Sequence, residues 1–360
     1  MTVDAALPAG VPGIDVPRLA AWLAGTLPDA GRITAVELIA GGRSNLTYRL
    51  RLSGGPESIV LRRPPLGHVL PTAHDMTREH RVLSGLSAAG TVPVPRPLAL
   101  CTDETVIGAP FYLMDYVEGR VLRTVEDAAD LSPVQARELS ERLAEALAAI
   151  HAVDLEAAGL TDFGRPAGYM ARQLKRWGQQ WERSYSAGSR AVDPLAEYER
   201  LVARLAERLP ENGLTRLVHG DFRLDNALSR LEPRAEIAAV VDWEMSTLGD
   251  PLADLGLTLV YWAEATDQQT LPVGSTITAA PGFLTRREFT AHYAALTGFD
   301  LSDLDFYVAF GCYKLAVVLE GIHARFLQHA TVGEGFDQIG DAVPVLIARA
   351  HHTLDTRTPY

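Results

Sequence analysis

Between Arg216 and Gly256 the chain reads R-L-V-H-G-D-F-R-L-D-N-A-L-S-R and then, after a short gap, A-V-V-D-W-E-M-S-T-L-G-D-P-L-A-D-L-G. Two short apolar segments, Leu214–Val218 and Ile237–Val241, each end in polar residues. The first leads into His219-Gly220-Asp221, with Asn226 five positions beyond the aspartate, and the second into Asp242. An aspartate, an asparagine five further on and a second strand-end aspartate form the acid set of phosphoryl transfer. One carboxylate orients the accepting hydroxyl, while an amide oxygen and the other carboxylate hold Mg²⁺ against the phosphates of ATP. Asp221 is therefore read as the catalytic residue, and Asn226 and Asp242 as the metal ligands. Arg223 either neutralises charge on the transferred phosphoryl group or is a surface arginine partnered by Asp225. His219, ahead of a Gly-Asp turn, is read as a loop brace. Asp250 and Asp254 suit a helix start and a second brace.

Such a set needs a nucleotide site, and the first third of the chain has the pattern of one. A loose arm over residues 1–16 precedes a helix starting near Pro17 with Leu19, Trp22, Leu23 and Leu27. From Ile33 the pattern alternates as in a strand, and Gly41-Gly42-Arg43-Ser44-Asn45 joins it to L-T-Y-R-L-R-L as a hairpin. Backbone N–H groups of Gly41, Gly42, Ser44 and Asn45 would lie over the phosphates. In the third strand, S-I-V-L-R, Val60 and Arg62 share one face. Val60 then floors the adenine and Arg62 reaches the phosphates. A helix over Thr77–Leu86 follows, with Glu79 expected on the side away from Val82, Leu83 and Leu86 and paired with Arg62. Two more strands, Pro93–Leu100 and Pro110–Val117, end in F-Y-L-M-D-Y-V-E-G, where Met114 and the backbone of Asp115 and Val117 border the adenine edge.

After Gly119 the pattern turns helical. Ser132-Pro133-Val134-Gln135 opens a helix, Asp193-Pro194 a second, Thr285–Glu288 a third, and Ser302–His329 reads as one long helix. The organisation expected is α+β: an arm and helix over residues 1–30, an antiparallel-sheet lobe with one key helix over 31–117, and a larger, mainly helical lobe over 118–360. Tyr169, Trp177, Trp181 and Tyr261 are candidates for lining the acceptor pocket.

Composition excludes other classes. A net charge of −12 over 360 residues disfavours a nucleic-acid or anionic-membrane surface. The two cysteines, Cys101 and Cys312, form neither a disulfide framework nor a metal spacing, which fits a reducing cytoplasm. The N-terminus lacks the basic and apolar regions of a signal peptide. The apolar stretch Phe306–Leu319, interrupted by Gly311 and Lys314, is read as too short to span a bilayer.

H-G-D-x-x-x-x-N followed by D-W-E and G-D-P-x-x-D-L resembles the aminoglycoside phosphotransferase-like family over about residues 30–345. L-R-R-P-P, R-E-H-R-V-L and L-V-H-G-D-F-R-L-D-N-A look most like the kinase-like domain fused to certain acyl-CoA dehydrogenases and its free-standing bacterial relatives. The resemblance implies a bilobal protein-kinase-like fold and ATP- and Mg²⁺-dependent phosphorylation of a hydroxyl. By motif position it makes Asp221 the base, Asn226 and Asp242 the metal ligands, Arg62 the phosphate-binding residue and Glu79 its partner. The chain departs from protein kinases in having H-G-D for H-R-D, D-W-E for D-F-G and no A-P-E, so a protein substrate is not expected. Arg62 stands where much of the fold uses lysine, and its planar fork alters how phosphate is held. The dehydrogenase-linked likeness implies a hydroxyacyl-CoA or hydroxy acid acceptor. An aminoglycoside acceptor, or nucleotide binding without catalysis, are the rival readings.

Overall fold

The computed structural model describes residues 11–39, 45–66, 74–186, 192–210, 213–267, 276–328, 336 and 338–359. The loop residues Gly41, Gly42, Arg43 and Ser44 lie outside that set. The chain divides into two compact units. The first comprises Met1–Glu118 with Ala157–Leu160 and Ala239–Glu244, and the second Gly119–Glu156, Thr161–Ala238 and Met245–Tyr360.

The first unit is built on five antiparallel strands, β1 (Ile33–Leu38), β2 (Leu46–Leu52), β3 (Ser58–Arg63), β4 (Pro97–Cys101) and β5 (Phe111–Asp115), in the order β1-β2-β3-β5-β4. Helix α1 (Val16–Thr26) starts where the Asp15 carboxylate accepts the Arg18 N–H. Its Leu19 and Leu23 are buried with Tyr48, Leu50, Ile59, Leu61, Phe111 and Leu113 of the sheet, and Trp22 meets the Phe111 ring edge-on at 5.0 Å. Helix α2 (Met76–Ala89) is capped by Asp75 and ends at Gly90 in the left-handed conformation. Glu79 corrects one expectation. It is 1% exposed, on the same face as Val82, Leu83 and Leu86. Positions 79, 82, 83 and 86 repeat at three- and four-residue intervals, which on a helix means one stripe.

The second unit is mainly helical: α3 (Pro133–His151), α4 (Tyr169–Ser184), α5 (Leu195–Glu207), α6 (Pro251–Tyr261), α7 (Arg286–Thr297), α8 (Leu304–Leu327) and α9 (Ile339–Thr356). Two small ribbons complete it. Strand β6 (Arg216–Val218) pairs with β9 (Thr247–Gly249), and β7 (Ala227–Arg230) with β8 (Glu236–Val240), whose last two residues group with the first unit. Capping boxes start α3 at Ser132/Gln135 and α7 at Thr285/Glu288. Helices α6 and α8 cross at glycines: a Cβ on Gly256 would stand 2.4 Å from the Tyr307 carbonyl oxygen. Helix α8 falls inside the long helix expected over Ser302–His329. At 24 residues it has the length and apolarity of a membrane span, yet 83% of its apolar window is buried inside the fold, as for a core helix. Helices α4 and α9 had no counterpart in the sequence reading.

Candidate active site

In the first unit, sequence-distant side chains converge on Arg62. It sits on β3 opposite Tyr112 of β5, two pairs along from Val60 opposite Met114. The guanidinium Nε donates to Glu79 Oε2 at 2.8 Å, one terminal nitrogen to Asp242 Oδ1 at 2.5 Å, and the other to Thr47 Oγ1 at 3.3 Å. Glu79 is fully engaged: Oε2 also accepts from the Tyr112 hydroxyl at 2.9 Å, and Oε1 from the Asn45 amide at 2.7 Å. Burial works against the Arg62 charge, but Glu79, Tyr112, Asp242 and Glu244 outweigh it and hold Arg62 firmly protonated. Burial raises the Glu79 carboxyl, with Arg62 opposing.

The expectation for Asn45 concerned its backbone N–H. Its side chain, buried, bridges Glu79 and Glu244, the latter at 3.0 Å, so its amide joins α2 to the D-W-E segment. Glu244 also lies 3.4 Å from His74 Nδ1. The sequence reading gave Glu244 no role, and its only signal was a second acid two residues after Asp242. Asp242 has φ +67°, a left-handed conformation that an aspartate adopts at a cost, and such strain gathers at functional positions. Val60 and Met114 are buried beside this cluster in the sheet. The Asp115 N–H donates to the Arg96 carbonyl at 2.9 Å.

In the second unit, backbone clamps fix the Asp221 loop. Strand β6 delivers His219, and the buried Asp254 of α6 accepts both the His219 N–H at 2.6 Å and the Gly220 N–H at 2.8 Å. Gly220 has φ +87°, and a Cβ there would stand 2.6 Å from the Met245 carbonyl oxygen, so only glycine fits. The Asp221 N–H donates to His219 Nδ1 at 3.3 Å, as a brace requires. The Asn226 amide nitrogen donates to the Asp221 carbonyl at 2.8 Å and to its Oδ2 at 3.1 Å. That leaves the amide oxygen as the Asn226 atom able to bind a cation. Arg223 reaches both Asp221, at 3.7 Å, and Asp225, at 3.8 Å, and lies 4.6 Å over the Tyr261 ring. Burial raises the Tyr261 phenol, and the Asp221 charge adds to the shift.

Asp250 caps α6 through the Leu252 N–H and accepts the Tyr307 hydroxyl at 2.6 Å, while burial raises its carboxyl. Asp254 goes the other way. Burial alone would raise it, but a hydrogen bond and the charges of His151 and His219, with the Gly220 N–H, bring it below the ordinary carboxylate range. Of the four aromatic candidates, Trp181 is core, stacked on Tyr198 at 3.9 Å. Trp177 stands beside two cations, Arg176 at 5.5 Å and Lys314 at 5.4 Å from its ring centre. Lys314 itself donates to the Gly220 carbonyl. Its only sequence signal was a lone cation amid the apolar residues of α8.

For a divalent cation, Asn226 and Asp242 offer hard oxygen donors suited to Mg²⁺. Among the described residues no group of three or more His, Cys, Asp or Glu could hold a metal ion. Each of the two, Asp242 in the first unit and Asn226 in the second, carries an oxygen of the kind that Mg²⁺ takes alongside phosphates and water.

Over residues 35–296 the chain matches the phosphotransferase enzyme family. It is 37% identical over 288 residues to mouse acyl-CoA dehydrogenase family member 10, a match covering 79% of this chain and 26% of that protein. The chain thus spans about a quarter of that relative's length. A crystal structure from Ralstonia eutropha, provisionally described as an aminoglycoside phosphotransferase, superposes with a TM-score of 0.78 at 31% identity, covering 95% of this chain and 98% of that one. A thermostable mutant of aminoglycoside phosphotransferase APH(4)-Ia, in ternary complex with ADP and hygromycin B, shares the fold at TM-score 0.60 and 15% identity, covering 93% and 98% of the two chains. The chain belongs to the phosphotransferase enzyme family, with its kinase-like aminoglycoside phosphotransferase fold.

Proposed function

We propose that this chain transfers the γ-phosphoryl group of ATP to a hydroxyl of a small molecule. The observation that carries the reading is the Asp221 loop. Its backbone is clamped by Asp254 and His219, and its carboxylate is backed by the Asn226 amide five residues on. A carboxylate so held can accept the hydrogen bond of an incoming hydroxyl and aim its oxygen at phosphorus. Arg223, beside Asp221, stabilises charge developing on the transferred group. Asn226, through its amide oxygen, and Asp242 are the ligands for Mg²⁺. When bound, Mg²⁺ supplies charge neutralisation on the phosphate oxygens.

Arg62, held by Glu79, serves the nucleotide phosphates, with Gly41, Gly42, Ser44 and Asn45 as the covering loop. Val60, Met114, the Asp115 carbonyl and the Val117 backbone border the adenine. Likeness to a protein named as an acyl-CoA dehydrogenase family member favours a hydroxyacyl-CoA or hydroxy acid acceptor. The rival acceptor is an aminoglycoside, which the name of the Ralstonia protein favours. The cytoplasm suits two buried cysteines that are free thiols.

Asp221→Ala decides the reaction class. Phosphorylation of an accepted hydroxyl compound should fall by about 10³-fold or more while ATP affinity stays within about twofold. Turnover that survives the substitution removes Asp221 from the reaction.

A further inference from the structure

We infer that Lys314, with Arg176, binds an anionic group of the acceptor beside Asp221, so that the substrate is an acidic hydroxyl compound and not a polycation. The inference rests on the phosphotransferase reading for the role of Asp221 and adds the charge of the acceptor.

Lys314 lies at the middle of α8, partly buried, in a helix otherwise devoted to the core. Its ammonium donates to the carbonyl of Gly220, the residue immediately before Asp221, and stands 5.4 Å from the Trp177 ring centre. The Arg176 guanidinium lies 5.5 Å from the same ring centre. Two cations thus lie near one indole, whose buried N–H has no partner among the described residues. Neither Lys314 nor Arg176 is ion-paired to a carboxylate among the described residues. That is unexpected in a chain with 45 acidic against 33 basic side chains. Arg223, the other cation of the loop, already sits between Asp221 and Asp225.

An ammonium has three donors, and the Gly220 carbonyl takes one. Desolvation lowers the Lys314 pKa, the charges of Asp221 and Asp254 oppose that shift, and Arg176 adds to it. A second anion arriving with the substrate would relieve the lone-cation arrangement. A carboxylate, or a phosphate of an acyl carrier, has the acceptor geometry for the remaining donors. A polycation would meet like charge at both Lys314 and Arg176.

The test compares 3-hydroxybutyrate with its uncharged amide, and with kanamycin as a polycation. Binding to the full chain loaded with Mg²⁺ and AMP-PNP is read by calorimetry for wild type, Lys314→Met, Lys314→Arg and Arg176→Gln. The carboxylate should bind wild type about tenfold or more tighter than the amide. Lys314→Met should erase that preference, Lys314→Arg should keep part of it, and Arg176→Gln, an exposed and fold-neutral change, should reduce it. Equal binding of acid and amide, undetectable acid binding, tighter binding of kanamycin, or equal losses for acid and amide in Lys314→Met each overturn the inference. The readout is binding, so a failure of phosphorylation would sink the reaction assignment without touching this result.

Discussion

Arg62 and Lys314 are both cations beside residues assigned to the reaction, and they are treated in opposite ways. Arg62 in the first unit meets Glu79, Asp242 and, at 4.0 Å, Glu244, so carboxylates already compensate its charge. Lys314 in the second unit has a backbone carbonyl and an indole and, among the described residues, no carboxylate in ion-pair contact. A cation paired with carboxylates in a buried network is a fixture whose removal strands its partners. One without such a pair has its charge left for an acidic ligand. The same contrast runs through their surroundings. Side chains bonded to side chains hold the first cluster, whereas side chains bonded to backbone hold the Asp221 loop. The first arrangement fixes charge, and the second fixes position.

The largest effect should come from breaking the fixture. Arg62→Ala leaves Glu79 buried without its cation, and should destabilise the first unit by about 3–5 kcal/mol in denaturant unfolding. Arg62→Lys restores the charge but not the fork, so it should recover part of the stability while still weakening nucleotide binding. A fully stable Arg62→Ala would mean that the network around Glu79 is dispensable, and the contrast with Lys314 would lose its basis.

Removing the positional clamp should come next. Asp254→Asn keeps the shape but weakens acceptance from the His219 and Gly220 N–H groups, and should cost about 2–3 kcal/mol at neutral pH. The folded-state pKa of Asp254 lies below its ordinary value, so its contribution is complete above the unfolded pKa near 3.9 and fades as pH falls through the folded value. The stability gap between wild type and Asp254→Asn should therefore close below about pH 4. A gap that stays constant into acid would show that the Asp254 charge does not hold the loop. Turnover should drop along with stability, because the carboxylate that orients the hydroxyl depends on the clamp.

Side chains bonded across long sequence distances were the least legible in the sequence. The strands β1, β2 and β3 and the helices α1, α3 and α8 were readable because alternation, capping residues and apolar stripes are local signals. The strands β6 and β8 came from short apolar runs ending in motif residues. Strands β7 and β9, four and three residues long, are too short to show a period. Helix α4 does carry a stripe, Met170, Leu174, Trp177 and Trp181, but its two tryptophans were taken as pocket candidates, and α9 carries one around Pro344, a residue that ordinarily ends a helix. In the candidate site, the contact of Arg62 with Glu79 was legible from strand parity and from the helix that follows the strand. The braces His219 and Asp254 were legible from the turn they flank. Asn45 bridging to Glu244 was not, because it spans 199 positions. Lys314 was not either, because a lysine in an apolar helix acquires meaning only when α8 is packed beside Gly220.

The smallest predicted effect tests how complete the Arg62 network is. The Tyr112 hydroxyl is one of three donors to Glu79, with Arg62 and Asn45 supplying the others. Burial raises the Tyr112 phenol well above its ordinary value and the Glu79 charge adds to the shift, so it stays a protonated donor across the working pH range. Tyr112→Phe removes the oxygen without opening a large cavity, and leaves a carboxylate still held by a guanidinium and an amide. The loss should be about 1 kcal/mol, the value of a single hydrogen bond, read as a shift in the denaturant midpoint at unchanged slope. A loss as large as that of Arg62→Ala would mean that Glu79 depends on every donor equally and that its ion pair with Arg62 has no special weight. No loss would mean that Glu79 is over-supplied. A value between them, with nucleotide affinity unchanged, identifies Arg62 as the member that carries the charge and Tyr112 as the one that trims the geometry.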